Sequence, residues 1–386
     1  MKIDSKILSN QALNANPLIF DPTNRDLVMK VDKNGVPCGE YKVQPQGVIV
    51  HENGDVTFNF FSKVAKSVEV AGIGGTMGNT RHALVKQDDT LWSVTVKGIG
   101  AGFHYHEYFV DGNCVTNDLA PYGYGCARVM NFFELPDNNS DFYLLQPVPH
   151  GTIRMEYFNS SVTGRVRNCF VYTPPSYESN TSKRYPVLYL QHGGGESEAS
   201  WIWQGKINYI ADNMIAKGQC EEMIIIMNNG YSFYPDGGGH SARGCIDEVI
   251  TKDCIPFIDE KYRTIAEREY RSMAGLSMGG FQSQCTVFNN LEYFSSVGIF
   301  SAHLYINNGE DDYTPLLSNK EEFNSKMKLL FLSAGEQEEG LVKSHKKALS
   351  TLDDMGIKYR YYTTPGYHEW QVWRYSAREF LSYLFK

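Results

Sequence analysis

The alternation of apolar and polar positions changes character near residue 145. Before it, short runs at 47–51, 56–61, 67–71, 91–96 and 104–110 alternate with period two, and Asn53-Gly54 and Asp111-Gly112 stand at breaks between them. Period-two alternation marks a half-buried strand, and Asn-Gly or Asp-Gly between such runs marks a hairpin. Short strands at this spacing predict a small antiparallel all-β sandwich. The first forty or so residues show no clear period and read as an arm lying on the surface of a neighbour.

After Gly151 the rhythm becomes strand, helix, strand. Strands are predicted at 166–172, 186–191, 223–228, 272–275, 296–300, 329–333 and 359–363, and helices at 206–217, 247–261, 279–289, 341–355 and 372–384. The runs PVLYL, MIIIM and LLFL are apolar throughout, as parallel strands covered on both faces by helices are. Such alternation predicts a doubly wound α/β sheet. The stretch LLQPVPHG at 144–151, with two prolines and a glycine, is the expected linker. The chain thus divides into 1–145, arm plus sandwich, and 146–386, the α/β domain.

Composition narrows the classes of function. Lys+Arg 36 against Asp+Glu 44 leaves a net charge of −8, which argues against nucleic acid as the main partner, since phosphate binding needs clustered positive charge. No run of 18 apolar residues exists, so no membrane-spanning helix is expected. The first twenty residues lack the sustained apolar core of a signal peptide, which leaves the compartment open. The eight cysteines form no C-x-x-C pair, so no structural zinc site is expected. A Cys245–Cys254 disulfide is conceivable from spacing, with buried free thiols the favoured reading. The oligomeric state is not legible.

The chemistry concentrates at Gly275-Leu276-Ser277-Met278-Gly279, a G-x-S-x-G between a predicted strand and a predicted helix. That context is the nucleophile elbow, a tight turn that lifts a serine hydroxyl above the carboxyl end of the sheet. A serine needs a base oriented by a third group, and in this fold the order is Ser, acid, His. Among the histidines that follow Ser277 are His345 and His368. His345 lies among Lys343, Lys346 and Lys347 and is expected on a solvated helix face. His368 falls in a loop past the last strand, where catalytic groups gather. A base of this kind must be neutral to accept a proton, so activity should fall in acid. The acid belongs to the loop Gly335-Glu336-Gln337-Glu338-Glu339. Spacing favours Glu338, with Glu336 and Glu339 as alternatives. The oxyanion requires preorganised N–H donors: the Met278 amide, and one from His192-Gly193-Gly194-Gly195, for which Gly194 is chosen. His192 reads as a structural hydrogen-bonding residue. Of the aromatics near these loops (Trp201, Trp203, Tyr231, Tyr234, Trp370 and Trp373), Trp201, Tyr234 and Trp370 are the expected substrate contacts, and His240 sits in a loop placed to cover the site. No metal or organic cofactor is needed by this chemistry.

Taken together, HGGG followed by Trp, the run Ile255–Thr264 (IPFIDEKYRT), RSMAGLSMGG at 271–280 and Gly366-Tyr367-His368-Glu369-Trp370 resemble the esterase-D-like carbohydrate esterases of carbohydrate esterase family 1, which includes feruloyl and acetylxylan esterases. The resemblance covers about residues 150–386. It implies a serine carboxylic-ester hydrolase acting on plant cell-wall polysaccharide, most readily releasing ferulate from feruloylated arabinoxylan, with feruloylated or acetylated xylan oligosaccharide as substrate. The family's usual acid is Asp, and Glu338 departs from it. Trp92-Ser93-Val94 with Gly102–Gly112 (GFHYHEYFVDG) is similar to the immunoglobulin-like sandwich modules of carbohydrate-binding module family 48; Tyr105 and Phe109 lie on one strand face and are expected to be core rather than a sugar platform. Competing readings are an acetylxylan esterase, an enterobactin-type siderophore esterase, and a non-catalytic binding scaffold. Retention of both Ser277 and His368 disfavours the last.

Overall fold

The computed structural model describes residues 27–386 apart from 44, 136, 240–242 and 310. Contacts divide the chain into two units, Met1–Ser140 and Asp141–Lys386.

In the first unit Leu27–Val31 and Pro37–Val43 pair antiparallel, so part of the segment read as a patternless arm is a hairpin. The signal for it is Asn34-Gly35. Gly35 takes a φ of 80°, and Asp32 Oδ1 accepts the amides of Asn34 at 2.8 Å and Val36 at 3.0 Å, the local bonding that favours Asp at turns. Two antiparallel sheets follow. One runs Val48–Val50, Val56–Phe61, Leu91–Val96, Val85–Lys86; the other runs Tyr122–Gly125, Arg128–Leu135, Gly102–Val110, Val68–Gly72, His82–Ala83. Val56 and Phe58 of the first sheet share an apolar cluster with Val70, Tyr108 and Phe133 of the second. Tyr105 and Phe109 do not belong to that core. They lie on the opposite face of their strand and stay half-buried, with the Arg81 guanidinium 3.7 Å over the Phe109 ring. His104, His106 and Tyr108 take the inward positions.

The second unit carries a mixed eight-stranded sheet: β1 (Thr152–Ser160), β2 (Arg165–Thr173), β3 (Val187–Gln191), β4 (Ile224–Asn228), β5 (Arg271–Leu276), β6 (Ser296–Phe300), β7 (Leu329–Gly335) and β8 (Arg360–Thr364), in spatial order β1-β2-β4-β3-β5-β6-β7-β8. β1 and β2 run antiparallel to their neighbours and the rest pair parallel. This is the α/β-hydrolase arrangement. Every residue of β3 to β7 is buried, which is why β3, β4 and β7 carry the unbroken apolar runs. β1, absent from the predicted elements, is a half-buried edge strand in which Glu156, Phe158 and Ser160 turn inward and Met155, Tyr157 and Asn159 outward.

The longer helices are α1 (Ile207–Ala216), α2 (Ile255–Lys261), α3 (Met278–Asn289), α4 (Glu339–Met355) and α5 (Trp370–Leu381). The helix predicted over 247–261 is interrupted: Ile246–Glu248 leads into a π-helical stretch, Val249–Cys254, before α2 begins. Pro256, at that junction, lacks the amide a continuous α-helix needs. Cys245 and Cys254 are free thiols, both buried, and Cys254 Sγ lies 3.4 Å from Asn228 Oδ1. Among the described residues, no helix is long and apolar enough to cross a membrane.

Candidate active site

The sharp turn between β5 and α3 holds Ser277 at φ 51° and ψ −118°, a region costly for any residue with a Cβ. The surrounding glycines make it possible. A Cβ on Gly275 would lie 2.5 Å from Gly279 backbone atoms, and one on Gly279 would lie 2.4 Å from the His192 carbonyl oxygen. The Ser277 amide donates to the Phe300 carbonyl at 2.8 Å, tying the turn to β6, and the Ser277 carbonyl accepts from Gly280 and Phe281. Met278 opens α3, so its amide has no carbonyl one turn earlier to receive it.

The carboxyl ends of β7 and β8 bring the acid and base loops together. The Glu336 amide donates to the Thr364 carbonyl at 2.9 Å and the Gln337 amide to the Gly366 carbonyl at 3.1 Å. Gln337 Oε1 in return accepts the Gly366 amide. Gly335 allows this approach, since a Cβ there would stand 2.3 Å from the Gly366 carbonyl oxygen. Across this junction His368 Nδ1 meets Glu338 Oε1 at 2.6 Å. An ionised carboxylate only accepts, so Nδ1 carries the proton and Nε2 is left as the basic nitrogen. Glu336 and Glu339 are exposed, which leaves Glu338 as the glutamate paired with His368. The other Glu338 oxygen accepts from Ser301 Oγ at 2.6 Å and from the Gly335 amide at 2.7 Å. Burial opposes the charge on Glu338, but the bonds from His368, Ser301 and Gly335 outweigh it and hold the carboxyl below the usual glutamate range,. The His368 ring packs edge-on against Trp373, centroids 5.0 Å apart.

Ser277, Met278, Ser301, Glu338 and His368 line one cavity of about 560 Å3. No hydrogen bond joins Ser277 to His368 among the described residues; such bonds are often loose before substrate binds. The remaining wall includes Phe281, Tyr305, Leu341, His303 and Asn308, which the sequence reading does not single out. Phe281 sits four residues after Ser277 on α3 and Leu341 three after Glu338, and helical spacing places both on the face of the residue they follow.

The glycine loop expected to supply the second oxyanion donor follows β3. His192 is buried, accepts the Gly230 amide at Nε2 (2.8 Å) and turns Nδ1 to the Gly193 carbonyl at 2.8 Å. Burial lowers its pKa, against the bond to Gly193, so it stays neutral and holds the loop. Ser277 Cβ would lie 3.4 Å from a Cβ on Gly193, which places Gly194 one residue beyond the nucleophile turn.

Three expected substrate contacts lie outside the lining of the cavity that holds Ser277. Trp201 and Trp370 are 1% and 2% exposed and pack edge to face with centroids 5.4 Å apart; Trp201 Nε1 donates to the Gln191 carbonyl at 2.8 Å. Both are core that supports the loops. Tyr234 lines a different cavity and donates its hydroxyl to Glu248 Oε1 at 2.5 Å. His345, expected in solvent, is fully buried with Nε2 2.7 Å from the Ala302 carbonyl. It shares one face of α4 with Leu349 and Leu352, while its lysine neighbours point away. His240 lies outside the described residues.

Comparison with known proteins gives the following. The family model described as "Putative esterase" matches residues 160–379. An endo-1,4-beta-xylanase/feruloyl esterase of Xylanibacter ruminicola is 33% identical over 350 residues, covering 88% of this chain and 46% of that protein. Endo-1,4-beta-xylanase Y of Acetivibrio thermocellus is 28% identical over 179 residues, 44% of this chain and 16% of that one. The chain therefore spans less than half the length of either relative. Among solved structures, a ferulic acid esterase from Anaeromyces mucronatus in complex with ferulic acid aligns with a TM-score of 0.56 at 20% identity, over 64% of this chain and 96% of its own. The enterobactin esterase of Shigella flexneri aligns with a TM-score of 0.62 at 14% identity, over 85% and 92%. At these identities the structural likeness speaks to the fold.

Proposed function

The chain belongs to the esterase family and is an esterase, and from that premise we propose that it is a serine hydrolase releasing ferulate from feruloylated arabinoxylan, with Ser277 as nucleophile, His368 as base and Glu338 as the acid that orients it. The observation carrying the reading is the shared cavity. It sets the strained serine and the His368–Glu338 pair in one wall and the apolar Phe281, Tyr305 and Leu341 in the rest, a lining suited to an aromatic acyl group. The relative named as a feruloyl esterase supports the same choice of acyl group.

In this reading Ser277 Oγ attacks the ester carbonyl while His368 Nε2 takes its proton. The Met278 and Gly194 amides receive the oxyanion. Collapse of the tetrahedral intermediate expels the sugar alkoxide, which His368 protonates, and water then releases ferulate from the acyl-enzyme by the same steps. Glu338 fixes the imidazole tautomer and stabilises the imidazolium throughout. The antiparallel first unit is carried in this reading as a carbohydrate-binding-module-like sandwich.

A panel of feruloyl, coumaroyl, acetyl and catecholate esters tests it. The expected result is ferulate release by the native protein and none by Ser277→Ala. Release of acetate alone would make the protein an acetylxylan esterase. The likeness to the enterobactin esterase over 85% of the chain favours a second reading, a siderophore esterase, which requires cleavage of catecholate trilactones and none of feruloylated sugar.

A further inference from the structure

A second cavity, of about 630 Å3, is lined by Arg165, Arg167, Tyr231, Phe233, Tyr234 and Asp236 among others and shares no lining residue with the catalytic one. Tyr231 connects it to the oxyanion loop: its hydroxyl accepts the Gly195 amide, and its ring lies 5.6 Å from the His192 ring. Gly195 is the residue after Gly194, about 3.8 Å along the chain.

Two chemical features mark this cavity. Tyr231 and Phe233 are 42% and 48% exposed, large aromatic faces open to solvent where the C–H face of a sugar ring can lie. Arg165 and Arg167, two residues apart on β2, project to the same side. Arg167 is braced by the Asn229 and Tyr231 carbonyls, which use two of its five donors and fix the direction of the rest. Neither arginine pairs with a carboxylate among the described residues. The one carboxylate in the lining, Asp236, has Oδ1 engaged by the Gly238 amide at 2.8 Å. Burial pulls the Arg167 pKa down against the opposing charges of Glu198 and Asp253, and an anion entering beside the guanidinium relieves that cost. Two guanidiniums against one aspartate make a positive pocket on a chain of net charge −8.

We propose that this cavity is a subsite for a uronic acid residue of the polysaccharide, its carboxylate gripped by Arg165 and Arg167 and its ring stacked on Tyr231 or Phe233. The inference rests on the reading that the substrate is a polysaccharide ester, and it adds a preference for acidic chains. Guanidinium forks recognise carboxylates through paired hydrogen bonds.

Calorimetric titration of the full chain with an ester-free xylo-oligosaccharide carrying glucuronic acid, its unsubstituted counterpart and free ferulate tests the subsite without any ester cleavage. The acidic oligosaccharide should bind about tenfold tighter than the neutral one, as a charge-assisted pair predicts. Arg165→Gln should remove most of that advantage, Arg167→Lys part of it, and rising salt should shrink it in the native protein. Arg165→Gln should leave kcat/KM on methyl ferulate within about twofold, because neither arginine lines the cavity that holds Ser277. Equal affinity for acidic and neutral oligosaccharides, or an Arg165→Gln protein that keeps the preference, overturns the proposal. So does free ferulate binding with the same dependence on Arg165, which would make the cavity a site for the released acid. An Arg165-dependent preference in a protein that cleaves no feruloyl ester supports the subsite and sinks the feruloyl reading alone.

Discussion

Glu338 is a carboxylate with 7% of its side chain exposed, and it keeps its charge through three hydrogen bonds, one of them from Ser301. Ser301→Ala removes a donor to a charged group, an interaction of about 1.5–3 kcal/mol. The sign follows from the depressed folded-state pKa. The stability this carboxylate contributes is present above its unfolded pKa and is lost as pH falls through the folded value, so Ser301→Ala, which raises the folded value, shortens that range from the acid side. Glu338 is hydrogen-bonded to His368, so the acid limb of kcat/KM should move to higher pH, with about a tenfold loss near neutrality. A pH–rate profile whose acid limb stays in place would exclude Ser301 as a positioning residue. Glu338→Gln should cost about 10³- to 10⁴-fold in kcat, as loss of the orienting acid does in other triads. The sequence reveals the nucleophile turn readily, because the strained serine demands small neighbours on both sides. It leaves the choice among three glutamates to spacing, since only the folded loop shows which one meets His368. His345 is misread for a related reason: the lysines beside it are visible, whereas its membership of the Leu349–Leu352 face needs the helix period to be followed through.

Helix α3 follows the Ser277 turn and carries Phe281 into the cavity that Ser277 lines. Gln284, fully buried on it, accepts the Tyr305 amide at Oε1 (3.1 Å) and donates to the Tyr305 carbonyl, fixing the loop after β6; Tyr305 in turn packs edge-on against Phe281 at 5.5 Å. Gln284→Leu leaves both Tyr305 backbone groups without that partner, at about 1–3 kcal/mol. It should raise KM for methyl ferulate several-fold while leaving kcat nearly unchanged. A steady-state comparison that found kcat lost and KM unmoved would contradict this role. The buried strands are legible because both faces are covered, which turns their sequence into a single apolar run. β1 escapes for the opposite reason, as an edge strand mixing Glu156 and Ser160 with Phe158 on its inner face. The π-helical stretch before Pro256 escapes because periodicity alone predicts one continuous helix.

On the scale of the whole molecule the two units place different demands on pH. In the first, His106 is fully buried among Phe58, Tyr108 and Phe133, neither ring nitrogen has a hydrogen-bond partner among the described residues, and burial drives its pKa down to about 3. Below the ordinary histidine value the unfolded chain takes up a proton that the native unit refuses. The first unit should therefore lose about 1.4 kcal/mol per pH unit from about pH 6.5 downward. Urea unfolding of the full chain at pH 7 and pH 5, with His106→Leu alongside, checks this: the variant should show a flatter dependence, and an identical slope would remove His106 as the cause. The change of rhythm near residue 145 is legible because alternating and continuous apolar runs answer to different burial, one face against two. Which cavity meets which part of the substrate is not legible, because Phe281, Tyr305 and Leu341 converge only through the fold. The central claim, that Ser277 is activated by His368 beside amides ready for negative charge, is tested most directly by fluorophosphonate labelling read by intact mass and peptide mapping. The native protein should gain one adduct, at Ser277, and His368→Ala should slow its formation by at least about 100-fold. A folded native protein that gains no adduct, or a His368→Ala protein labelled at the native rate, would contradict it.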